Sequence, residues 1–554
     1  MRSILSGLIL VTTGGLLCGA ETPPALPDSE KVYSQEEALK IGWPQLMGPL
    51  GTNVSLQINT PLIADLSQAK VLWESECKDF GGGKGGSQAF NHTSQFATDF
   101  IDKKMKAPGN WAGPIVAEGL VLCSSWRLCG EEKLVKGSVA PARGGPKDDG
   151  DDKADASVKT DGTSQEMKVR LDAEDTLTAI DALTGKTRWQ AVEPGGLLCS
   201  GGKRMGFQVA PVAHKGVVYA LGSTARIFAY DIASGKKLWV SDVHPARAAR
   251  KKAREDALAS LDKGIWPKYN KQPGWFGSLL VAQDTLIVPD QRGGLLGVDC
   301  ATGTQKWAVK DVVTIYGSPS VWRHEGYEYI LCANTTGDLR LIDPPSGKEL
   351  WRLSGLGPNW TTLTPGKTHV LVNVVPGSGK SKGAETKLGR VGSVRLSPTK
   401  GEMAWTLDPS VKNSISVSMD LGPSYRFLYR AGRFITFDTP GLSPSLLIDE
   451  ESGKVLSSFE FTGNRNDSLI GLLYWCGDHV ISRGDSVHGP SHGGRHPWSY
   501  WTIKNDTITQ APGKMDLGEF SSAYEALMEV PLVGGLMFER CLNGGIICYD
   551  LRQK

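Results

Sequence analysis

The sequence predicts an all-β fold, a single β-propeller of eight four-stranded blades, with seven blades as the alternative. A hairpin pattern recurs along the chain, and a second pair of short strand patterns precedes each recurrence. Four short strands in a repeat of about 45–50 residues make up one propeller blade. No apolar face with a period of 3.6 residues crosses these segments, which argues against a helical repeat.

The recurring hairpin is a strand ending in Asp, a turn with Thr or Ser followed by Gly, and a second strand that closes on Trp. Asp accepts hydrogen bonds from the following backbone, Gly supplies a positive φ, and Trp needs a slot that satisfies its one N–H. The four strong copies are Asp181 with Trp189, Asp231 with Trp239, Asp299 with Trp307, and Asp343 with Trp351. Weaker copies run from Ser397 to Trp405 and from Asp449 to Ser457.

The two ends of the chain are predicted to complete one blade together. The last repeat stops at 545–550 without a Trp strand, and Lys70–Glu74 carries the pattern of that missing strand. Closure of the ring removes free sheet edges, which otherwise favour aggregation. We therefore assign residues 70–554 to the propeller.

Three insertions interrupt the predicted ring, at 130–173, 244–271 and 376–389. The first is charged and nearly free of aromatic residues, so we expect a loop. The second is rich in strong helix formers and predicts a helix, whose basic segment 247–254 we interpret as a solvated face. The third, rich in Gly, Lys and Ser, is typical of a flexible hairpin tip.

Residues 1–20 have the pattern of a signal peptide. Arg2 precedes an apolar stretch, and cleavage is expected after Ala20. Lipid attachment at Cys18 is the less favoured alternative, because the bulky Leu17 precedes it. Residues 21–69 would then form an N-terminal extension of a periplasmic or secreted protein. No later stretch reaches the roughly 18 apolar residues of a transmembrane helix.

Charge and cysteine content exclude some classes of function. The 61 basic and 59 acidic residues leave a net charge of +2, so we expect no nucleic-acid partner. The ten cysteines are too few for a disulfide scaffold, and most are expected to be small buried side chains. The closest pairs are Cys123 with Cys129 and Cys541 with Cys548.

A histidine cluster is the sharpest local motif. His488, His492 and His496 are spaced four residues apart, and three imidazoles can hold zinc or copper. The Gly and Pro residues between them exclude a helix, so the segment is a loop that we expect to line one face of the ring. The alternative is a polar connection between strands that binds no metal.

The Asp-x-x-Thr/Ser-Gly-x-x-x-Trp repeats resemble the repeat of the pyrroloquinoline-quinone-type (PQQ-like) β-propellers. The segment Trp43-Pro-Gln-Leu-Met-Gly48-Pro is similar to an opening common in exported bacterial members. The resemblance covers about residues 43–554 and implies the propeller fold.

This resemblance implies one of two functional kinds. Quinoprotein dehydrogenases of the family hold the quinone and a calcium ion above the ring centre, with an Asp base, Glu and Asn metal ligands, and typically a ring of two adjacent cysteines. This sequence has no adjacent cysteines and no context that places the base or the ligands. The other kind lacks the cofactor and presents the propeller as a scaffold for protein contacts.

We therefore expect a binding or scaffolding module without bound quinone. Its ligand would be a protein, a small molecule or a saccharide at a propeller face. The alternative is a PQQ- and calcium-dependent alcohol or sugar dehydrogenase with a divergent site. A third class is a saccharide hydrolase or lyase, for which the sequence offers no identifiable acid–base pair.

Overall fold

Eight sheets of the propeller type surround a central channel, which confirms the predicted fold and excludes seven blades. The computed structural model describes residues 27–80, 113–131, 133–138, 164–169, 172–197, 209–265, 277–290, 292–313, 317–359, 361–376, 389–411, 427–436, 444–459, 470–484, 498–515, 529–540 and 545–553.

The strands of each blade are antiparallel, and we label them a to d from the channel outward. Turns between a and b and between c and d lie on one side of the ring, the turn face. The b–c connections and the connections from d to the next blade lie on the opposite side, the loop face.

Blades 1 to 4 each have four strands. Blade 1 contains Ile115–Ala117, Leu120–Cys129, Asp172–Asp181 and Thr187–Leu197, and blade 2 contains Val212–His214, Val217–Leu221, Ile227–Asp231 and Lys237–Ser241. Blade 3 contains Leu280–Ala282, Thr285–Pro289, Leu295–Asp299 and Gln305–Val309, and blade 4 contains Ser320–His324, Tyr327–Ala333, Leu339–Ile342 and Glu349–Leu353.

Blades 5 to 7 depart from this plan in two places. Strand a of blade 5 is reduced to a single bridge from Pro365 to Val370, since proline has no N–H to donate. Strand a of blade 7 gains a parallel neighbour on its channel side, Val54–Ser55. The strands are His369–Asn373, Val391–Leu396 and Gly401–Thr406 in blade 5, Leu428–Arg430, Arg433–Ile435, Ser445–Asp449 and Val455–Phe459 in blade 6, and Ile470–Cys476, His479–Gly484, Trp498–Lys504 and Thr507–Met515 in blade 7.

Blade 8 joins the two ends of the chain. Its strands a to c are Leu532–Val533, Leu536–Arg540 and Ile546–Asp550, and its strand d is Lys70–Glu74. In this pairing Trp73 lies opposite Cys548. The predicted closure of the ring by an N-terminal strand is thereby confirmed.

The Trp of each hairpin repeat packs on the next blade of the ring. The indole N–H of Trp307 donates to the Pro344 carbonyl at 2.7 Å, and a Cβ at Gly347 would lie 2.5 Å from the same ring. Gly347 therefore serves twice, because its φ of +70° shapes the turn and its missing side chain admits the indole. The equivalent acceptors are Ala182 for Trp73, Ile232 for Trp189, Cys300 for Trp239, Ser397 for Trp351 and Glu450 for Trp405.

The turn before each Trp strand is held by its first residue. Asp181 Oδ1 accepts hydrogen bonds from the backbone N–H groups of Leu183 and Thr184 and from the Thr184 hydroxyl. Asp231 and Asp449 hold Ser234 and Ser452 in the same way, and these bonds lower the pKa of both carboxyls. The repeat Asp is thus a turn residue.

Two insertions on the loop face have more structure than a connection requires. The expected loop at 130–173 is wrong at both ends, where Lys133–Ser138 and Ser164–Val169 pair as antiparallel strands. The second insertion carries helix α2, Arg247–Asp262, at the predicted place. Most of the third insertion, 377–388, lies outside the described residues.

The interpretation of 247–254 as a solvated face is wrong for its arginines. Arg250 is 0% exposed and donates to the Ser223 carbonyl at 3.0 Å. Arg254 donates to the Gly196 carbonyl, and Arg247 donates to the Thr224 carbonyl. Guanidinium groups satisfy the carbonyls of neighbouring loops, so the helix uses its positive charge to dock on blades 1 and 2.

Before the ring, the N-terminal segment folds against the turn face. Val32–Tyr33 pairs with Gln57–Ile58, and between them lies helix α1, Gln35–Ile41. Ser34 and Glu37 form a reciprocal capping box at the start of α1. A single 3-10 turn at Leu66–Gln68 leads into the closing strand of blade 8.

Candidate functional site

Residues 43–55, here called the plug, lie inside the ring at the turn face. At one end, Trp43 exchanges two backbone hydrogen bonds, of 2.7 and 3.0 Å, with Val116 in strand a of blade 1. The Pro44 carbonyl accepts the N–H of Ala213 in blade 2 at 2.8 Å. The plug therefore begins as an added partner of two inner strands.

Further along, the plug bonds to the inner strands on the far side of the channel. Its contacts are the Leu50 carbonyl with Arg323 of blade 4, the Thr52 carbonyl with Tyr429 of blade 6, the Asn53 carbonyl with Trp475 of blade 7, and the Ser55 hydroxyl with the Leu532 carbonyl of blade 8. The segment that we predicted as an extension thus crosses the channel and bonds to blades 1, 2, 4, 6, 7 and 8.

A buried carboxylate anchors the plug. Glu529, which precedes strand a of blade 8, is 2% exposed. Its Oε1 accepts the indole N–H of Trp43 at 2.8 Å and the backbone N–H of Met47 at 2.9 Å. Two donors on one oxygen compensate for the removal of this charge from water.

The spacing of the Trp43 motif has a structural reason. A Cβ at Gly48 would lie 3.0 Å from the Trp43 ring, and Gly48 has a φ of +79°. The motif therefore bends back on its own indole, which also meets the Tyr474 ring edge-on at 5.7 Å. This geometry presents the Trp43 N–H to Glu529.

Hydroxyl groups tie the inner strands together nearer the loop face. The Ser278 N–H donates to the Ser318 hydroxyl at 2.9 Å, and the Ser318 N–H donates to the Thr362 hydroxyl at 3.1 Å. These side chains belong to the small-residue runs that precede strand a. Since each is buried and paired with its neighbour, these hydroxyls link the starts of blades 3, 4 and 5 in series.

The described residues identify no site for the quinone and calcium of the dehydrogenases. Among them, no three His, Cys, Asp or Glu side chains come close enough to hold a metal ion. Glu529, the carboxylate that anchors the plug, already binds Trp43 and Met47. We therefore derive no chemical step from these cofactors.

The predicted histidine site lies outside the described residues. His488, His492 and His496 fall within 485–497, between strands b and c of blade 7 in the sequence. A metal-binding or face-lining role for these three residues stays a prediction.

All cysteines of the described ranges are free thiols. Cys123 and Cys129 lie on one strand, six residues or about 20 Å apart, so a disulfide between them is ruled out. Burial raises the pKa of the Cys123 thiol to about 11, as expected for a packing residue. Cys541, of the other candidate pair, lies outside the described ranges.

Sequence reasoning identified the Trp43 motif but not its partner. Glu529 belongs to no motif, and only its position in the short run before strand a of blade 8 could have drawn attention to it. Its role depends on the meeting of the chain ends, which no local pattern shows.

The fold and its interblade contacts define an eight-bladed β-propeller whose blades dock through repeated Trp residues. Residues 169–362 match the family model described as outer membrane protein assembly factor BamB. This segment, from blade 1 to blade 4, is similar to the PQQ-like repeat propellers.

Individual relatives are distant. Quinohemoprotein alcohol dehydrogenase ADH IIB of Pseudomonas putida is 22% identical over 328 residues, 51% of this chain and 44% of that protein. The chain thus spans less than half the length of this curated relative.

Two solved structures show low similarity to this chain. BamB from Moraxella catarrhalis has 12% identity and a TM-score of 0.40, covering 68% of this chain and 89% of that chain. Quinohemoprotein alcohol dehydrogenase from Comamonas testosteroni has 14% identity and a TM-score of 0.40, covering 85% and 79%. Similarity at this level carries no argument about function. In the described ranges no helix is long and apolar enough to cross a membrane.

Proposed function

We propose that this protein is an exported scaffolding propeller that binds a protein partner at its loop face and works without a bound quinone. The observation that carries the proposal is the plug. Because residues 43–55 bond to six blades, the chain itself closes the turn-face end of the channel.

The arrangement of connections favours the loop face as the binding side. Turn-face connections are tight hairpins such as 118–119 and 215–216, whereas both structured insertions, the strand pair at 133–138 and 164–169 and helix α2, lie on the loop face. Long connections held by a rigid scaffold are the usual place for recognition. The match to an assembly-factor family model supports the same reading.

Site-specific photo-cross-linking tests this proposal in the producing cell. A photoreactive residue at Lys310, which follows strand d of blade 3 on the loop face, should give a discrete adduct with one protein. The control position is Glu325 in a turn-face hairpin, where the side chain is 87% exposed. Equal adducts from both positions, or none from either, would contradict a loop-face scaffold.

The second candidate is a quinone-dependent dehydrogenase with a divergent site. The 22% identity to ADH IIB over half of this chain supports it. Dye-linked oxidation of alcohols or sugars after reconstitution with both cofactors would favour this candidate.

A further inference from the structure

Two buried carboxylates face a small cavity between blades 1 and 2. Asp175 on strand c and Glu193 on strand d lie directly opposite each other in register. They are 7% and 6% exposed. Side chains in such positions have Cβ atoms about 5 Å apart. The cavity of about 20 Å³ is lined by both of them together with Ser124, Gly222, Phe228 and Tyr230.

Glu193 accepts hydrogen bonds from two neighbouring side chains. It accepts the Tyr230 hydroxyl at 2.7 Å and the Lys237 ammonium at 2.8 and 3.0 Å. Lys237 therefore balances the charge of Glu193, whereas the charge of Asp175 is opposed by the nearby Arg226.

Asp175 is only half satisfied. Its Oδ1 accepts the Ser223 N–H at 2.9 Å, but its Oδ2 is buried and has no hydrogen-bond partner. Burial raises the pKa of this carboxyl, although the nearby Arg226 opposes the shift. Burial of a carboxylate oxygen without a hydrogen-bond partner costs free energy, so a ligand bound to Oδ2 would offset that cost.

The neighbouring backbone leaves room beside the unpartnered oxygen. A Cβ at Gly222 would lie 2.6 Å from Asp175 Oδ2 and 2.8 Å from the Phe228 ring. Arg250 of helix α2 fixes the same loop through the Ser223 carbonyl. Because Gly222 has no side chain, a space stays open beside Asp175 Oδ2, and we call this space the cradle.

The polar side chains around the cavity present oxygen and neither nitrogen nor sulfur ligands. The cavity volume is that of one water molecule or one ion. Oxygen ligands suit hard cations such as sodium or calcium and disfavour zinc or copper. We propose that Asp175 Oδ2, with Glu193 and the Ser124 hydroxyl beside it, binds one small hard cation between blades 1 and 2.

Terbium luminescence tests this site in the purified full chain. Trp126 is the register partner of Asp175 on strand b and is buried, so its excitation should sensitise terbium bound there. We expect saturable emission that falls at least tenfold in Asp175→Asn and is retained in Glu325→Gln, a matched change at an exposed carboxyl. Gly222→Ala keeps Asp175 but fills the cradle, so the terbium emission should fall to the same extent as in Asp175→Asn.

Competition identifies the cation. Displacement of terbium by millimolar calcium indicates a divalent site, and displacement only by high sodium indicates a monovalent one; both support the proposal. Equal emission in wild type, Asp175→Asn and Gly222→Ala would overturn it. So would an Asp175→Asn protein that is more stable than wild type in calcium and in chelator alike, since Asp175 would then be a protonated packing residue.

Discussion

The indole N–H of Trp43 donates a 2.8 Å hydrogen bond to the carboxylate of Glu529, 486 positions further along the chain. This bond joins the plug to the last blade. The strand that completes the same blade, Lys70–Glu74, comes after the plug, beyond the 3-10 turn Leu66–Gln68. Channel closure and ring closure are therefore parts of one structure.

Replacing Trp43 by Phe should destabilise the protein, because Glu529 loses the indole donor while it stays buried. The expected loss is about 1–3 kcal/mol in the free energy of unfolding. Urea denaturation measures it, with Glu325→Gln as a control expected within about 0.5 kcal/mol of wild type. A Trp43→Phe protein as stable as wild type would show that the bond does not hold the plug.

Gly347→Ala should cost more than Gly432→Ala. Both glycines have positive φ, but a Cβ at 347 would lie 2.5 Å from Trp307, whereas one at 432 meets nothing within 4 Å. The control substitution carries only the backbone cost of about 1–2 kcal/mol. Urea denaturation of both variants gives their free energies of unfolding, and the difference is the contribution of Trp307 packing on Gly347. Equal losses of stability would contradict that packing role.

Trp73→Ala should be strongly destabilising, by about 3–5 kcal/mol. The side chain bonds to the Ala182 carbonyl and packs on Gly185, so it links blade 8 to blade 1. Unfolding in urea gives the loss, and size-exclusion chromatography should show association through the loosened edge. A monomeric variant with a loss under 1 kcal/mol would mean that the ring is closed elsewhere.

His244 should make the protein less stable in mild acid. It is buried, accepts the Ala246 N–H at the start of α2, and approaches the Pro289 carbonyl. Burial, with a smaller contribution from Arg250, lowers its pKa to about 4. The unfolded state thus binds the proton first, and stability falls as pH drops from about 6.5 to about 4.

The variant His244→Asn should remove this pH dependence. The difference in unfolding free energy between wild type and variant should change by about 3 kcal/mol over that interval. Urea unfolding at several pH values checks it, since the other titrating groups are common to both proteins. A difference that stays constant would show that His244 does not titrate in this range.

The fold was predictable because its determinants are local. The pairing of Asp181 with Trp189 and its copies encode a turn, a strand and a docking side chain within nine residues. The closing strand was found for the same reason, since Trp73 repeats the pattern.

The candidate sites were not predictable, because their partners meet only in three dimensions. Nothing near Glu529 marks it as the partner of Trp43, and the opposition of Asp175 and Glu193 follows from strand register. The arginines of α2 were predicted to form a solvated face, because the carbonyls of blades 1 and 2 that accept their hydrogen bonds lie far from them in the sequence.

Titration of the purified protein with pyrroloquinoline quinone and calcium tests the central claim most directly, with tryptophan fluorescence and equilibrium dialysis as readouts. A scaffold whose channel is closed by its own plug predicts no saturable binding of the quinone and no dye-linked oxidation. Stoichiometric binding of the quinone with turnover of an alcohol or sugar would contradict it.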